Sequence, residues 1–403
     1  MIEKYHGISP KSDLILLQKL GGRLAGKSFL HINSTRAGGG VAEILHRMIP
    51  IISELGIAAR WEVIEGDELF FDITKKIHNS LQGKAESITA EMWDYHREVN
   101  RRNAAKLDLG ADAVLIHDPQ PIALVESRAP GKWLWRCHID LSAPWEGIWE
   151  HLSRYCSKYD AAIFSVAKFA QAMNIDEFII PPSIDPLSAK NREMTPDEIR
   201  GTMAKYGIPA DRPMVLQVSR FDRFKDPVGV IEAFRMVRKY NDCVLVLAGS
   251  PATDDPEGET VLNEVRNYTD GDPDVFVLLL PAFSDEDINA LQRAATVILQ
   301  KSLKEGFGLT VSEAMWKGKP VIGGAVGGIP LQIIHGHNGF LVYSVEGAAF
   351  RVRQLLNDPS RAETMGGNAR EYIRNNFLIT RQTRDYLSAW FAAENKGKNV
   401  LEL

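Results

Sequence analysis

The chain has 403 residues, 45% of them hydrophobic and 25% charged, with a formal net charge of −5. That length exceeds one ordinary domain and suits two of roughly 150–200 residues, each with a core of its own. The acidic balance argues against nucleic acid or an anionic membrane surface as the main partner, while leaving room for a local basic pocket.

Three widely separated cysteines, Cys137, Cys156 and Cys243, lack metal-ligand spacing and read as buried thiols. No stretch reaches the ~18 apolar residues of a membrane span, and the first residues lack a basic segment followed by a long apolar one. A cytoplasmic protein is the expectation.

Short apolar runs alternate with polar turns and helix-period segments, the pattern of parallel α/β sheets. In the first half the predicted strands are 28–33, 59–64, 113–117, 132–137 and 161–165. The spacing predicts helices over 41–55, kinked at Pro50, and over 88–107. Prolines in P-P-S-I-D-P-L-S-A-K (181–190) predict an extended linker and hinge, after which Thr195, Pro196 and Glu198 form a helix-opening signature. The second half predicts strands at 213–219, 243–249, 275–280, 296–300 and 320–324 and helices near 227–240, 284–294 and 309–317. The expected architecture is therefore two Rossmann-like doubly wound domains, 1–188 and 189–378, facing each other across a cleft. A C-terminal helix over about 379–403 is free to pack back on the first domain.

Two motifs are set aside. G-G-R-L-A-G-K-S (21–28) spells a phosphate loop, but a helical run precedes it and a strand follows, the reverse of the required order. The acidic run 270–274 reads as a solvated loop, so no protein metal site is expected.

Four segments carry chemistry. T-R-A-G-G-G-V (35–41) joins a strand to a helix and lets a ligand approach backbone at Gly39 and Gly40. W-R-C-H-I-D (135–140) ends a strand, and Arg136, His138 and Asp140 share one side if that strand continues. S-R-F-D-R-F-K-D (219–226) places Arg220 and Lys225 beyond another strand, a cation pair suited to a diphosphate. K-E-G-F-G-L-T-V-S-E (304–313) sets two carboxylates, Glu305 and Glu313, around a helix start where the amides of Phe307, Gly308 and Leu309 can face a phosphate. G-G-A-V-G-G-I-P (323–330) offers a further close backbone approach.

Together, E-x7-E at 305–313, Arg220 with Lys225 and the early glycine loop resemble the GT-B-type retaining glycosyltransferases across nearly the whole chain. With H-D-P-Q-P (117–121) and W-R-C-H-I-D, the likeness narrows to the trehalose glycosyltransferring synthases and the related trehalose phosphorylases. The resemblance implies a hexosyltransferase joining glucose from a nucleoside diphosphate glucose to glucose, forming or reversibly consuming trehalose. It implies that Arg220 and Lys225 neutralise the leaving diphosphate, Glu305 binds the transferred glucose, Glu313 binds the ribose and His138 lies near the anomeric centre. Asp118, Gln120 and Asp140 become the candidates for holding the acceptor sugar. Leu331 stands where an acidic residue is usual after G-G-I-P, and I-I-H-G-H-N-G replaces the common D-G-x-x-G. No resident cofactor is implied; Mg2+ could accompany the diphosphate without protein ligands. A homodimer is compatible with the sequence.

The rival readings are a phosphorylase using glucose 1-phosphate, a non-catalytic sugar-nucleotide binder and a sugar-nucleotide epimerase. A ribose-binding Glu313 has no purpose in the first, and the full Arg, Lys and Glu set argues against the second.

Overall fold

A computed structural model describes residues 1–36, 39–249, 257–281, 283–398 and 401. The chain forms two compact units, Met1–Ser183 with Ile379–Leu403, and Ile184–Leu378.

In the N-terminal unit six parallel strands form one sheet: β1 (Ser28–Asn33), β2 (Ala58–Val63), β3 (Ala113–His117), β4 (Lys132–Cys137), β5 (Ala161–Phe164) and β6 (Asp176–Ile179). Their order is β2-β1-β3-β4-β5-β6. Every residue of β3 is buried, as expected for a central strand covered on both faces. The unpredicted β6, D-E-F-I, is an edge strand whose side chains alternate between partial burial and exposure, so it lacks the apolar run of its neighbours. The helix Gly39–Glu54 runs on through Pro50. A further helix, Glu68–Leu81, opens where Asp67 accepts the Phe70 N–H.

Of the set-aside phosphate-loop glycines, Gly21 serves packing, whereas a Cβ on Gly22 or Gly26 would meet nothing within 4 Å. Gly21 lies inside the helix Lys11–Leu24, and a Cβ there would come within 2.8 Å of Leu55. The final helix, Ile379–Glu394, belongs to this unit. Its Trp390 is fully buried with its ring 4.9 Å from that of Phe29, and Ser9 and Thr380 share a buried 2.9 Å hydrogen bond.

The C-terminal unit repeats the plan with β7 (Met214–Val218), β8 (Val244–Gly249), β9 (Val275–Leu279), β10 (Val297–Gln300), β11 (Val321–Gly324) and β12 (Gly339–Val342). All neighbours are parallel, in the order β12-β11-β10-β7-β8-β9. Strand β12 has only four residues and follows a glycine turn, which leaves too little periodicity to read. Thr195 and Glu198 form a reciprocal capping box with Pro196 in the first turn. The segment after 181 is extended but not slack: Ile184 bridges Leu378, and Ser188 and Asn191 bond back to the Asp185 carbonyl. In the 270–274 loop, Asp272 and Asp274 are held by Arg238, and Asp274 also by Arg212.

The helix Pro359–Asn376 braces the helix Leu309–Trp316 and contains adjacent glycines with opposite constraints. A Cβ on buried Gly366 would lie 2.0 Å from the Gly318 carbonyl oxygen, whereas Gly367 is exposed and a Cβ there meets nothing within 4 Å. Gly367→Ala is expected to stabilise the protein by roughly 0.5–1 kcal/mol through lower unfolded-chain entropy. Gly366→Ala is expected to destabilise it by roughly 2 kcal/mol or more through overpacking. Denaturant midpoints of the two variants check this pair of opposite signs.

Candidate active site

Ligand-facing groups of doubly wound sheets sit on loops beyond the strands' carboxyl ends, above all where the strand order reverses. In the C-terminal unit the reversal falls between β7 and β10, which brings loops 219–226 and 301–308 together. The Leu303 N–H donates to the Phe224 carbonyl at 2.7 Å, and Lys301 pairs with Asp226. Lys225 Nζ reaches both carboxylate oxygens of Glu305, at 2.8 and 2.7 Å, and Ser302 Oγ donates to the same carboxylate at 3.2 Å. The Lys225 and Glu305 side chains are only 16% and 9% exposed, so this pair is largely removed from water. Arg220 is exposed on the same loop, 3.5 Å from Asp222.

Gly308, at φ +82°, caps the helix Leu309–Trp316 in a conformation that other residues rarely adopt. The Phe307 side chain is buried with its ring 5.6 Å from that of Phe377, so only its backbone remains for a ligand. Gln332 Nε2 donates to the Phe307 carbonyl at 2.6 Å and accepts, through Oε1, from Ser312. The glycines of 323–330 are used against the protein's own chain. A Cβ on Gly327 would lie 1.6 Å from the Glu305 carbonyl oxygen, and the Gly328 N–H donates to Gly306 at 2.9 Å. This loop therefore buttresses 305–307.

Glu313 is buried with its carboxylate 3.8 Å from Lys190. One turn later, buried Lys317 donates to the Glu313 carbonyl, Asn191 and Gln292. Burial pushes the Lys317 ammonium down to about 7, against the pull of the Glu313 charge. Lys190 and Lys317 were missed from sequence; the i, i+4 spacing of Glu313 and Lys317 was the available signal.

In the N-terminal unit the order reverses between β1 and β3. The helix after β1 begins at Gly39 itself, so Gly39 and Gly40 form its first turn; Gly39 sits at φ +76°. Ala37 and Gly38 lie outside the described residues. β4 ends at Cys137, as its apolar run predicts, so the condition for carrying Arg136, His138 and Asp140 along one side is not met. Asp118 Oδ1 captures the His138 N–H at 2.7 Å, turning the chain. Arg136 is consequently fully buried, donating to Ser165, with its guanidinium 5.9 Å from the Tyr386 ring. Asp140 accepts the Ser142 N–H at 2.8 Å. The Gln120 carbonyl accepts from His96 and Asn100, while its side-chain Oε1 is buried without a protein partner.

A file of three histidines, not apparent from the motifs, runs through the unit. His31 Nδ1 lies 3.2 Å from His117 Nε2, and His117 Nδ1 lies 3.1 Å from His138 Nε2. Burial lowers His31 to about 3 and holds His117 and His138 well below the usual imidazole range, with Arg136 adding to the effect on the latter two. All three are neutral at physiological pH. A cavity of about 900 Å³ opens elsewhere, at the amino ends of β1 and β4, lined by Ser28, Asp112 and Lys132 among others; it holds none of the motif residues. Among the described residues no group of three or more His, Cys, Asp or Glu side chains is placed to hold a metal ion.

Two outcomes follow from these environments. Lys225→Met leaves the Glu305 carboxylate largely buried beside a single hydroxyl and is expected to cost roughly 2–4 kcal/mol. Adding Glu305→Gln should recover much of that loss in a double-mutant cycle read by denaturant unfolding. Burial raises Asp118 to about 6, opposed by the His138 N–H and Arg136. The folded state then holds this proton more tightly than the unfolded chain, so the Asp118 contribution to stability falls as pH rises from about 4 to 6. Asp118→Asn, which keeps an acceptor for His138, should remove that slope and leave the protein roughly 2 kcal/mol more stable above pH 6.

Residues 31–171 match the family described as trehalose synthase, N-terminal domain, and residues 199–372 match glycosyl transferases group 1. Trehalose synthase of Pyrococcus horikoshii is 46% identical over 396 residues, covering 96% of this chain and 95% of the relative. Trehalose phosphorylase of Grifola frondosa is 30% identical over 396 residues, covering 85% of this chain and 54% of its own length. Among solved structures, the alpha,alpha-trehalose-phosphate synthase (UDP-forming) of Burkholderia xenovorans superposes with a TM-score of 0.73 at 13% identity, over 91% of this chain and 100% of that one, a likeness of fold. With the paired parallel sheets and full-length similarity in hand, the chain belongs to the trehalose synthase family of glycosyltransferases and has the GT-B fold.

Proposed function

We propose that this protein transfers glucose from a nucleoside diphosphate glucose to the anomeric hydroxyl of a second glucose, giving α,α-linked trehalose with retention, in a reversible reaction in the cytoplasm. The observation that carries this reading is the Lys225–Glu305 pair on the loops joined at the β7/β10 reversal, with Arg220 on the same loop. The C-terminal unit holds the donor. Arg220, Lys225 and the amides of Phe307, Gly308 and Leu309 take the diphosphate, Glu305 the hexose hydroxyls and Glu313 the ribose. The N-terminal unit serves the acceptor through Asp118, Gln120 and Asp140. It also brings His138 to the transferred hexose and Gly39 and Gly40 to the diphosphate.

Breaking the bond between C1 and the diphosphate oxygen builds cationic character on the sugar and negative charge on the leaving group. Fixed cations and N–H dipoles gain strength as that charge grows, which lowers the barrier. The acceptor hydroxyl bonds C1 on the face the diphosphate leaves, and its proton passes to the departing phosphate oxygen. No protein nucleophile is required. Any Mg2+ arrives with the diphosphate rather than in a protein site.

The similarity to trehalose phosphorylases favours one second reading, glucose 1-phosphate as donor. Incubation of the protein and glucose with UDP-, ADP- or GDP-glucose, or with glucose 1-phosphate, followed by product analysis, separates the two. Trehalose from a nucleotide donor is expected; trehalose from glucose 1-phosphate alone overturns the proposal. Arg220→Ala should lower kcat/KM about 100-fold or more while leaving the unfolding midpoint nearly unchanged, because Arg220 is exposed.

A further inference from the structure

The histidine file is directional. A neutral imidazole has one N–H and one lone pair, so each link in His31–His117–His138 fixes the tautomer of the next. Strand register aligns the first two rings: His31 pairs with Leu115 across β1 and β3, which puts His117 two residues further along on the same face. The rings follow one another at centroid distances of 5.5 and 5.4 Å with interplanar angles of 22° and 17°.

Only two arrangements satisfy both links. In one, protons sit on Nδ1 throughout, each Nδ1–H donates to the next Nε2, and His138 ends the file with an Nδ1–H to give. In the other, protons sit on Nε2 throughout and His138 ends with a bare Nδ1. The buried end of the file decides between them. His31 Nε2 is buried without a partner, close to the Phe29 ring, and Arg136 Nε and Nη1 are buried and unpartnered in the same unit. The second arrangement would add another orphaned N–H to that interior, whereas the first leaves a lone pair, the less costly defect.

We infer that His31 and His117 are positioning residues that lock His138 as an Nδ1–H donor, presented to an oxygen of the transferred hexose. This rests on the reading of His138 as a contact to that hexose. The arrangement supplies a hydrogen-bond donor without a positive charge, which suits a site where the sugar carbon itself becomes cationic. A charged imidazolium there would oppose the developing oxocarbenium character. No protein group among the described residues bonds His138 Nδ1, and the side chain is only partly buried.

The test uses the full chain with nitrogen-15-labelled histidine and two-bond proton–nitrogen correlations, which report each ring's tautomer. The three rings are assigned by loss of their signals in His31→Gln, His117→Gln and His138→Gln. The expected result is a protonated Nδ1 and a bare Nε2 on all three at neutral pH. A protonated Nε2 on His138 overturns the inference. In His117→Phe, which keeps a ring but breaks both links, His138 should show shifts averaged between tautomers. There, kcat should fall about tenfold with donor KM within about twofold. A fixed Nδ1–H tautomer with unchanged kcat in that variant overturns the inference; should the variant not fold, the wild-type spectrum decides alone. Titration with UDP-, ADP- and GDP-glucose separates this failure from failure of the underlying reading. The predicted tautomer with His138 signals that no donor shifts sinks the hexose contact, while donor-shifted signals from the opposite tautomer sink only the histidine file.

Discussion

The loops beyond the carboxyl ends of β7 and β10 depend on one interaction: an ammonium and a carboxylate that meet with little water between them and the protein. Lys225 and Glu305 are 80 residues apart in sequence and bond through both carboxylate oxygens. Alone, either charge would be costly to hold at that depth. Together they fix the loop after β7 against the loop after β10, with Lys301–Asp226 and Leu303–Phe224 as secondary ties. The glycine loop 323–330 then closes from the far side, because only residues without a side chain can stand so near the Glu305 and Gly306 carbonyls. A change at any of these positions is felt at the others, so the site behaves as one built object.

On the proposed reading, both units place their chemistry where strand order reverses. In the first the reversal lies between β1 and β3 and gathers His31, His117 and the helix that starts at Gly39; in the second it lies between β7 and β10. The two reversals differ in electrostatic character. The C-terminal one carries Arg220, Lys225, Glu305 and the helix start at Leu309. The N-terminal one has its imidazoles stripped of charge by burial and by Arg136. A net charge of −5 conceals this division, since it averages over local fields.

Strands and loop motifs were legible in the sequence where the signal was local. β1, β3 and β4 match their apolar runs residue for residue, and the Thr195 capping box could be read from four letters. Edge strand β6 was not legible because its adjacent Asp176 and Glu177 break the apolar run that marks its neighbours, and β12 is too short for periodicity to register. Whether β4 continued through His138 was not legible, because what meets its N–H is non-local: a carboxylate 20 residues upstream. His31 and His117 escaped notice for a similar reason. Each is a single histidine among apolar neighbours, and only the register of β1 on β3 sets them in line.

That distinction bears on how such a site acquires its chemistry. On the proposed reading, the residues that touch a ligand sit at strand ends and loop glycines, where sequence patterns are strong. The groups that hold those residues in place lie elsewhere in the chain, as Asp118 does behind His138, or one helical turn away, as Lys317 does after Glu313, where spacing is the signal. A paired Lys225 offers a diphosphate less net attraction than a bare ammonium, since Glu305 already offsets its charge. On the proposed reading, ground-state binding then falls more heavily on Arg220 and the helix amides, while Lys225 strengthens its hold as negative charge builds on the leaving group. That division favours the transition state over the bound donor, which is the only kind of binding that accelerates the chemical step.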